Sequence, residues 1–396
     1  MAKGDNSRKN KPKRGAKKVE TSKSGTFGRT PVLNVDGFKT AGLSRKDEGI
    51  KVKEVDDYQV LATENVDPAL AQEKERTKAI KKLLDSLHPG YQVPEETSFR
   101  GLVLSGRDLE RVRFVDNILK NTKMRECQLR SAVFKSCDLT GADLRRADLT
   151  GAIFDHCNLN GADLRGCDLS NARIVDCNLF AVNLDNSKLE QAVIDHCSMG
   201  AQSFHNSSCK GIKLFNSQVI HGFFDSADMV GAEIRNMLFR DCTLTNTHFD
   251  SAILDECCFR ACDSIQEGPV FSGCEMSNIT MMDCEFEDTQ LVSTHISHSR
   301  MERVNMASAL LEGALFDDVV FDEGSIRDCY SLEEAPTFNQ CTLEHLLIEG
   351  SELCNAHFNK SSFIGARIID SDFEAWEMNH TGMDGNTIIE SCYGAS

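Results

Sequence analysis

The chain has 396 residues, of which 27% are charged and 40% are hydrophobic, and its formal net charge is −17. No apolar run reaches the ~20 residues of a membrane span, and no apolar segment follows the basic N-terminus as it would in a signal peptide. We therefore expect a soluble protein without a signal peptide or transmembrane segment, located in the cytoplasm or within an assembled particle.

Residues 1–60 are predicted to form a basic, low-complexity arm that is extended or disordered rather than folded as a domain. The first 30 residues hold ten Lys or Arg against two acidic residues, a net charge of +8, whereas the rest of the chain carries −25. Clustered positive charge favours contact with nucleic acid or with an acidic surface. The candidate contact residues in the arm are Lys9, Lys11, Lys13, Arg14, Lys17 and Lys18.

Residues 61–98 are predicted to contain one capping helix and a lead-in to the segment that follows. Asp67 and Pro68 supply an N-cap residue and a proline at the first helical position, and His88-Pro89-Gly90 ends the helix. One apolar stripe recurs at helical spacing: Leu70, Thr77, Ile80, Leu84 and Leu87. We expect this stripe to cover the open end of a repeat array; the alternative is that it forms a dimer contact.

Residues 99–383 repeat with a period of five. Successive units read CDLTG from Cys137, ADLRR from Ala142 and ADLTG from Ala147: a small residue, Asp or Asn, a large apolar centre, and two free positions. Thirty-three centres run in unbroken phase from Phe99 to Phe259. Neither the helix period of 3.6 nor the strand period of 2 explains this spacing, and fixed-period self-similarity is typical of a solenoid.

This pattern resembles the pentapeptide-repeat family, whose consensus is A(D/N)LXX. The resemblance implies an all-β solenoid, a right-handed quadrilateral β-helix with four repeats per coil. It also implies that the small and central residues point inward and the other three point outward. The expected core includes Leu139, Leu144, Leu149, Phe154, Leu159, Leu164, Leu169, Cys137, Cys157, Cys177 and Cys197.

Two breaks interrupt the phase, near residues 262–270 and 329–337. The centre after Phe259 is Phe271 and the centre after Ile326 is Phe338, so each step is twelve residues long. We interpret each break as two repeats with a two-residue bulge, which places the two loops on adjacent faces. The alternative is one repeat with a seven-residue insertion, which places both loops on one face. The loops supply four candidate contact residues: Gln266, Glu267, Glu333 and Glu334.

The C-terminal segment, residues 384–396, is predicted to form a lid or tail. Met383 is the last centre in phase, and Trp376 occupies a small position where an indole does not fit inside a coil. We therefore expect Trp376, Ile388 and Ile389 to close the solenoid after about fourteen coils.

The cysteines and histidines do not predict a metal or cofactor site. Cys137, Cys157, Cys177 and Cys197 recur every 20 residues, so they stack about 4.8 Å apart and do not converge on one ion. His156 and His196 are two coils apart, which is also too far to share an ion. Five cysteines leave the inward pattern and are the candidates for any intersubunit disulfide, a question left open: Cys209, Cys257, Cys258, Cys354 and Cys392.

An arginine follows its centre at three positions spaced by 20 residues: Arg125, Arg145 and Arg165. This spacing predicts a cationic stripe on an acidic rod. The favoured interpretation is that these arginines are solvated side chains flanked by Asp and Glu, and the alternative is that the stripe docks phosphate or carboxylate groups.

We expect no enzymatic activity, because the sequence has no phosphate-binding glycine loop, zinc-protease motif or nucleophile elbow, and a uniform solenoid has no deep cleft. The favoured function is a non-catalytic assembly or interaction scaffold: an acidic β-helical rod tethered to protein partners, for example in a virus particle, by its basic arm. The first alternative is a DNA mimic that modulates type II topoisomerase, as the resemblance to the quinolone-resistance branch implies. That branch dimerises through a C-terminal helix, however, and residues 384–396 do not look helical. The second alternative is a secreted effector that binds a host protein. The oligomeric state is left open.

Overall fold

The computed structural model describes residues 68–264, 267–353, 355–372 and 376–392, with helix side chains described from residue 75. The helix spans Pro68–Ser86. Its C-terminal turn covers the first coil, because Leu83, Leu84 and Leu87 pack against the core. The guanidinium of Arg107 also donates to the carbonyl oxygen of Leu84 at 2.7 Å. Thr77, by contrast, is exposed, so the cap is this last turn and not the whole predicted stripe.

The repeats form a parallel β-solenoid of about 14 turns. Each centre pairs with the centre 20 residues later, as in the ladder from Phe114 to Phe134 to Phe154, so four repeats make one coil. We number the four faces by one coil: face 1 contains Leu129, face 2 Phe134, face 3 Leu139 and face 4 Leu144. The predicted fold class, with one helix and a solenoid of five-residue repeats, is confirmed.

Short strands lie on the faces, and isolated bridges continue the ladders elsewhere. Face 2 carries Arg113–Val115, Val133–Lys135, Ile153–Asp155, Arg173–Val175, Val193–Asp195, Lys213–Phe215, Glu233–Arg235, Ile253–Asp255, Glu275–Ser277, Thr337–Asn339, His357–Asn359 and Glu377–Asn379. Face 3 carries Ser198–Gly200, Gln218–Ile220, Leu238–Arg240, Cys258–Arg260, Thr280–Met282 and Thr342–Glu344. His295–Glu302 and Leu315–Asp322 run around the corner between these two faces. Face 4 carries Asp263–Ser264, Glu285–Glu287, Asn305–Ala307, Ser325–Arg327, Leu347–Glu349, Arg367–Ile369 and Ile388–Glu390, and face 1 carries Tyr330–Ser331 and Glu352–Leu353.

The two free positions of the repeat are not equivalent. The second of them turns the corner in the left-handed region of backbone space, with φ of 55° at Asn121, 54° at His156 and 65° at Gly161. Glycine adopts this conformation freely, and Asn and Asp adopt it more readily than other residues. This is why Gly, Asn and Asp recur at the fifth position.

The small inward position carries hydrogen-bond donors for a structural reason. The thiols of Cys127 and Cys167 donate to the carbonyl oxygens of Leu104 and Leu144 at 3.0 and 2.9 Å, one coil earlier. The hydroxyl of Thr122 donates to the carbonyl oxygen of Phe99 at 2.9 Å in the same way. A small side chain with a donor therefore fills the corner and adds a bond between coils, which Ala does not.

The strand registers resolve the two breaks. Phe259 pairs with Met281 and Ser264 pairs with Phe286, so Ser264 occupies a centre and Phe271 lies two repeats after Phe259. Ser331 likewise pairs with Leu353, while Phe338 pairs with Phe316. Each break is therefore two repeats with two extra residues, as predicted. The first loop, residues 264–271, joins face 4 to face 1, and the second loop, residues 331–338, joins face 1 to face 2.

The C-terminal end differs from the predicted lid. Trp376 does pack against Phe358, with ring centroids 4.9 Å apart. Ile388 and Ile389, however, belong to a strand that pairs with Arg367–Ile369, and they are 38% and 37% exposed. Met383 is 43% exposed although it holds a central position. These residues extend the ladder by one coil, and within the described residues nothing stacks on their outer side.

Candidate interaction surfaces

A groove on face 4 brings the three predicted arginines together. It has a volume of about 430 Å³ and is lined by Arg125, Glu126, Arg145, Arg146, Arg165, Gly166, Asp185 and Asn186. We call it the arginine groove. Its arginines come from three successive coils because each follows a face 4 centre by one residue.

Carboxylates pair with the guanidinium groups of the arginine groove. Asp143 accepts from Arg125 at 2.5 Å and from Arg145 at 2.9 Å, and Asp163 lies 3.3 Å from Arg145. Asp163 also accepts from Arg165 at 2.6 Å, and this hydrogen bond raises the pKa of the Arg165 guanidinium. Positive and negative groups therefore alternate along the face, and the arginines do not form an uncompensated cationic stripe.

Net charge is segregated along the solenoid. Residues 99–238 hold 17 Lys or Arg and 17 Asp or Glu, whereas residues 239–396 hold 7 Lys or Arg and 29 Asp or Glu, a net of −22. We call these segments the neutral half and the acidic half. The negative charge expected of the whole solenoid thus comes from its second half, where charges of one sign add to a field that reaches beyond single side chains.

The second loop presents an apolar side chain among carboxylates. Leu332 is 69% exposed, the highest value among the large hydrophobic residues that the structure describes, and Glu333 and Glu334 beside it are exposed as well. Hydrogen bonds hold residues 332–334 at both ends. The Leu332 N–H donates to Glu312 Oε2 at 3.3 Å, and the Glu334 carbonyl accepts from the Gly313 N–H at 2.8 Å.

The first loop lies closely against its neighbouring coils. The Glu267 carbonyl accepts from the Asn246 N–H at 2.8 Å. A Cβ on Gly268 would lie only 2.5 Å from the backbone nitrogen of Thr289, so this position needs glycine for close approach. Gln266 lies outside the described residues, as do Lys9, Lys11, Lys13, Arg14, Lys17 and Lys18 of the arm. Their roles stay predictions.

The structure buries the predicted core. Leu139, Leu144, Leu149, Phe154, Leu159, Leu164, Leu169, Cys137, Cys157, Cys177 and Cys197 are each at most 4% exposed. The expectation that Cys209 and Cys257 leave the inward pattern is wrong: Cys209 fills a centre, Cys257 fills a small position, and both are buried. Cys258 and Cys392 are half-buried, every described cysteine is a free thiol, and Cys354 lies outside the described residues.

We expect iodoacetamide to modify Cys258 and Cys392 in the native protein at pH 8 and to leave Cys209 unmodified. Burial raises the pKa of the Cys209 thiol to about 12, so its reactive thiolate is scarce and inaccessible at that pH. Burial also raises the pKa of Cys258, which should therefore react faster as the pH increases. Peptide mass spectrometry before and after urea unfolding measures this; native modification of Cys209 would contradict its assignment to the core.

One histidine lies between two carboxylates on the surface of face 2. Ligand atoms of Asp155, His156 and Asp176 lie within 4.8 Å of one another, and Asp155 is 2.5 Å from His156 Nδ1. This hydrogen bond raises the pKa of His156. His196 pairs separately with Asp195 at 2.7 Å. The arrangement consists of exposed ion pairs, and the expectation of no metal or cofactor stays a prediction.

The fold and its repeat define a class of protein, the β-solenoids made of pentapeptides. The sequence model of the pentapeptide repeats matches eight copies, within residues 119–151, 132–171, 142–179 and 227–263. Residues 119–179 and 227–263 therefore consist of pentapeptide repeats, which confirms the resemblance seen in the sequence. None of the helices that the structure describes has the length and apolar character of a membrane span.

Solved structures with a similar fold include QnrB1, a plasmid-mediated fluoroquinolone resistance protein. It is 12% identical with a TM-score of 0.28, and the match covers 73% of this chain and 92% of that one. HetL from the cyanobacterium Nostoc is 14% identical, with a TM-score of 0.23 and coverage of 63% and 94%. Rfr23 from the cyanobacterium Cyanothece is 22% identical, with a TM-score of 0.23 and coverage of 28% and 93%. No curated protein matches the sequence.

Proposed function

We propose that this protein is a non-catalytic interaction scaffold, and that its acidic half docks the basic surface of a protein partner. The observation that carries the proposal is the charge segregation: 29 acidic against 7 basic residues in residues 239–396, after a half with 17 of each. Such a surface attracts basic partners over a distance and orients them along the solenoid.

The hydrogen-bonded backbone that carries these charged side chains supports the same function. Strand pairs continue through the acidic half, from Ile253–Asp255 against Glu275–Ser277 to Arg367–Ile369 against Ile388–Glu390. Outward side chains on such strands are fixed in direction, so a partner meets a preorganised surface at little cost in ordering. The arginine groove also lacks the arrangement of an active site, since its guanidinium groups face paired carboxylates and not a nucleophile beside a base.

The charge distribution also separates this proposal from the DNA mimic. Duplex DNA carries phosphates along its whole length, whereas the neutral half has equal numbers of positive and negative side chains. Attachment to a larger assembly, such as a virus particle, through the basic arm of residues 1–60 is a further part of the proposal, because its +8 charge suits an acidic or nucleic-acid surface.

Proximity labelling of the partners of this protein, in the cells that express it, tests the proposed function. One variant neutralises four exposed carboxylates of the acidic half (Glu285→Gln, Glu287→Gln, Asp318→Asn and Glu323→Gln). A matched control neutralises four carboxylates of the neutral half (Glu110→Gln, Asp116→Asn, Glu126→Gln and Asp176→Asn). We expect identified partners of the wild type to be lost from the first variant and retained by the control. Equal retention in both variants would refute the proposed docking surface.

A further inference from the structure

We propose that the second loop is a docking site for a basic protein segment that carries an apolar anchor residue, and that Leu332 is the centre of this site. The inference rests on the proposed function and names the class of partner more closely. It combines three features of one corner of the solenoid: an exposed apolar cluster, a backbone fixed by hydrogen bonds, and a surrounding excess of carboxylates.

The apolar cluster consists of Leu310, Tyr330 and Leu332. Leu310 and Tyr330 are bridge partners in successive coils of face 1. The backbones that carry these two outward side chains are therefore about 4.8 Å apart. Leu332 follows Tyr330 by two residues and extends the same outer surface into the loop. Tyr330 is 38% exposed and Leu332 is 69% exposed, so both side chains leave apolar surface that a partner can bury, and tyrosine is enriched at protein interfaces.

The backbone around the cluster is already fixed. Tyr330–Ser331 pairs in parallel with Glu352–Leu353, and the Glu312 carboxylate accepts from the Leu332 N–H at 3.3 Å. On the far side of the loop, the Pro336 carbonyl accepts from the His357 N–H at 3.0 Å. A partner therefore does not have to order this loop in order to bind it, which removes part of the entropic cost of association.

The charges around the cluster determine the chemistry of the partner. Residues 312–334 contain eight acidic residues and one basic residue, Arg327. Arg327 lies 3.6 Å from a carboxylate oxygen of Glu349, so its charge is compensated. Glu312, Glu333 and Glu334 adjoin the apolar cluster directly. The complementary partner is a segment with an apolar side chain that enters the cluster, flanked by Lys or Arg that face these carboxylates.

The test uses the full chain and three synthetic peptides of equal length. The first has a leucine between lysines and arginines, the second replaces this leucine with serine, and the third replaces the basic residues with glutamates. Fluorescence anisotropy gives their dissociation constants for the wild type, for Leu332→Ser, and for the control Val103→Ser. Val103 is 58% exposed in the neutral half, so the control removes a comparable apolar side chain from a different charge environment.

We expect the leucine-containing basic peptide to bind the wild type and Val103→Ser equally, and to bind Leu332→Ser about 10-fold more weakly. The serine-containing peptide should bind all three proteins weakly and alike, and the acidic peptide should not bind. Equal affinity of the leucine-containing peptide for wild type and Leu332→Ser would overturn the site but leave the acidic docking surface intact. Sedimentation of the chain alone tests the competing occupant: a dimer that Leu332→Ser dissociates would assign the cluster to a second copy and overturn the proposal.

Discussion

Phe154→Asp is expected to unfold the coils around it, at a cost above about 5 kcal/mol in the free energy of unfolding. Phe154 is 0% exposed and stacks on Phe134 with ring centroids 4.7 Å apart and ring planes 4° apart. Its other neighbour in the ladder is Ile174. The substitution removes this packing and places a carboxylate in an apolar core where no cation faces it.

Urea denaturation followed by far-UV circular dichroism measures this effect, with Phe154→Leu as the matched control. Leucine keeps an apolar centre like those of neighbouring repeats, so we expect the control to lose only about 1 kcal/mol. Because each coil contacts only its neighbours, native alkylation of Cys157 should also report local opening in Phe154→Asp. Similar urea midpoints for the two variants would show that Phe154 does not lie in a packed core.

Gly324→Ala is expected to destabilise the protein by about 3 kcal/mol, because its added methyl group meets backbone and not a movable side chain. A Cβ at Gly324 would overlap the carbonyl oxygen of Val304 and lie 3.3 Å from the Val304 nitrogen. Val304 lies in the preceding coil, and its carbonyl accepts from the Ser325 N–H at 3.0 Å. The two coils therefore have to separate at a ladder hydrogen bond to admit the methyl group.

Gly231→Asn is the matched control for a glycine that packing does not require. Gly231 has φ of 66° and no neighbouring atom within 4 Å of an added Cβ, and Asn121 holds the equivalent corner position with φ of 55°. We expect this variant to lie within about 1 kcal/mol of the wild type in the same urea titration. A Gly324→Ala midpoint as high as that of the control would contradict the close approach at Val304.

The five-residue period predicts the fold because it reports directly which side chains point inward. It did not identify Ser264 and Ser331 as centres, since serine is not a large apolar residue and only the pairing between coils assigns their places. Gln202 is a similar case. It lies buried at a small position, where the missing side chain of Gly222, one coil later, leaves room for it: an added Cβ there would lie 3.2 Å from Gln202 Nε2. A large residue and a glycine at small positions 20 residues apart, as Gln202 and Gly222 are, therefore indicate in the sequence that the glycine makes room for its neighbour.

The candidate surfaces were only partly predictable. The alignment of Arg125, Arg145 and Arg165 follows from the period, and so does their pairing, since Asp143 and Asp163 each precede a centre by one residue and share the outward face with the arginine that follows. The exposure of Leu332 was not predictable, because it depends on how the backbone of the second loop leaves the coil. The charge segregation is visible in the sequence itself, as the difference in acidic and basic residues between the neutral half and the acidic half.

The spacing of the two loops has a consequence for how such a chain lengthens by tandem duplication. The serines at which the loops begin, Ser264 and Ser331, are separated by thirteen repeats, which is three full coils and one quarter of the next. A segment of this length, copied in tandem, reproduces itself as a screw operation: each copy advances along the axis and rotates by a quarter turn. A third copy would therefore carry its loop to the corner between faces 2 and 3, and a fourth to the last corner. Duplication of twelve repeats would instead align every loop in one row.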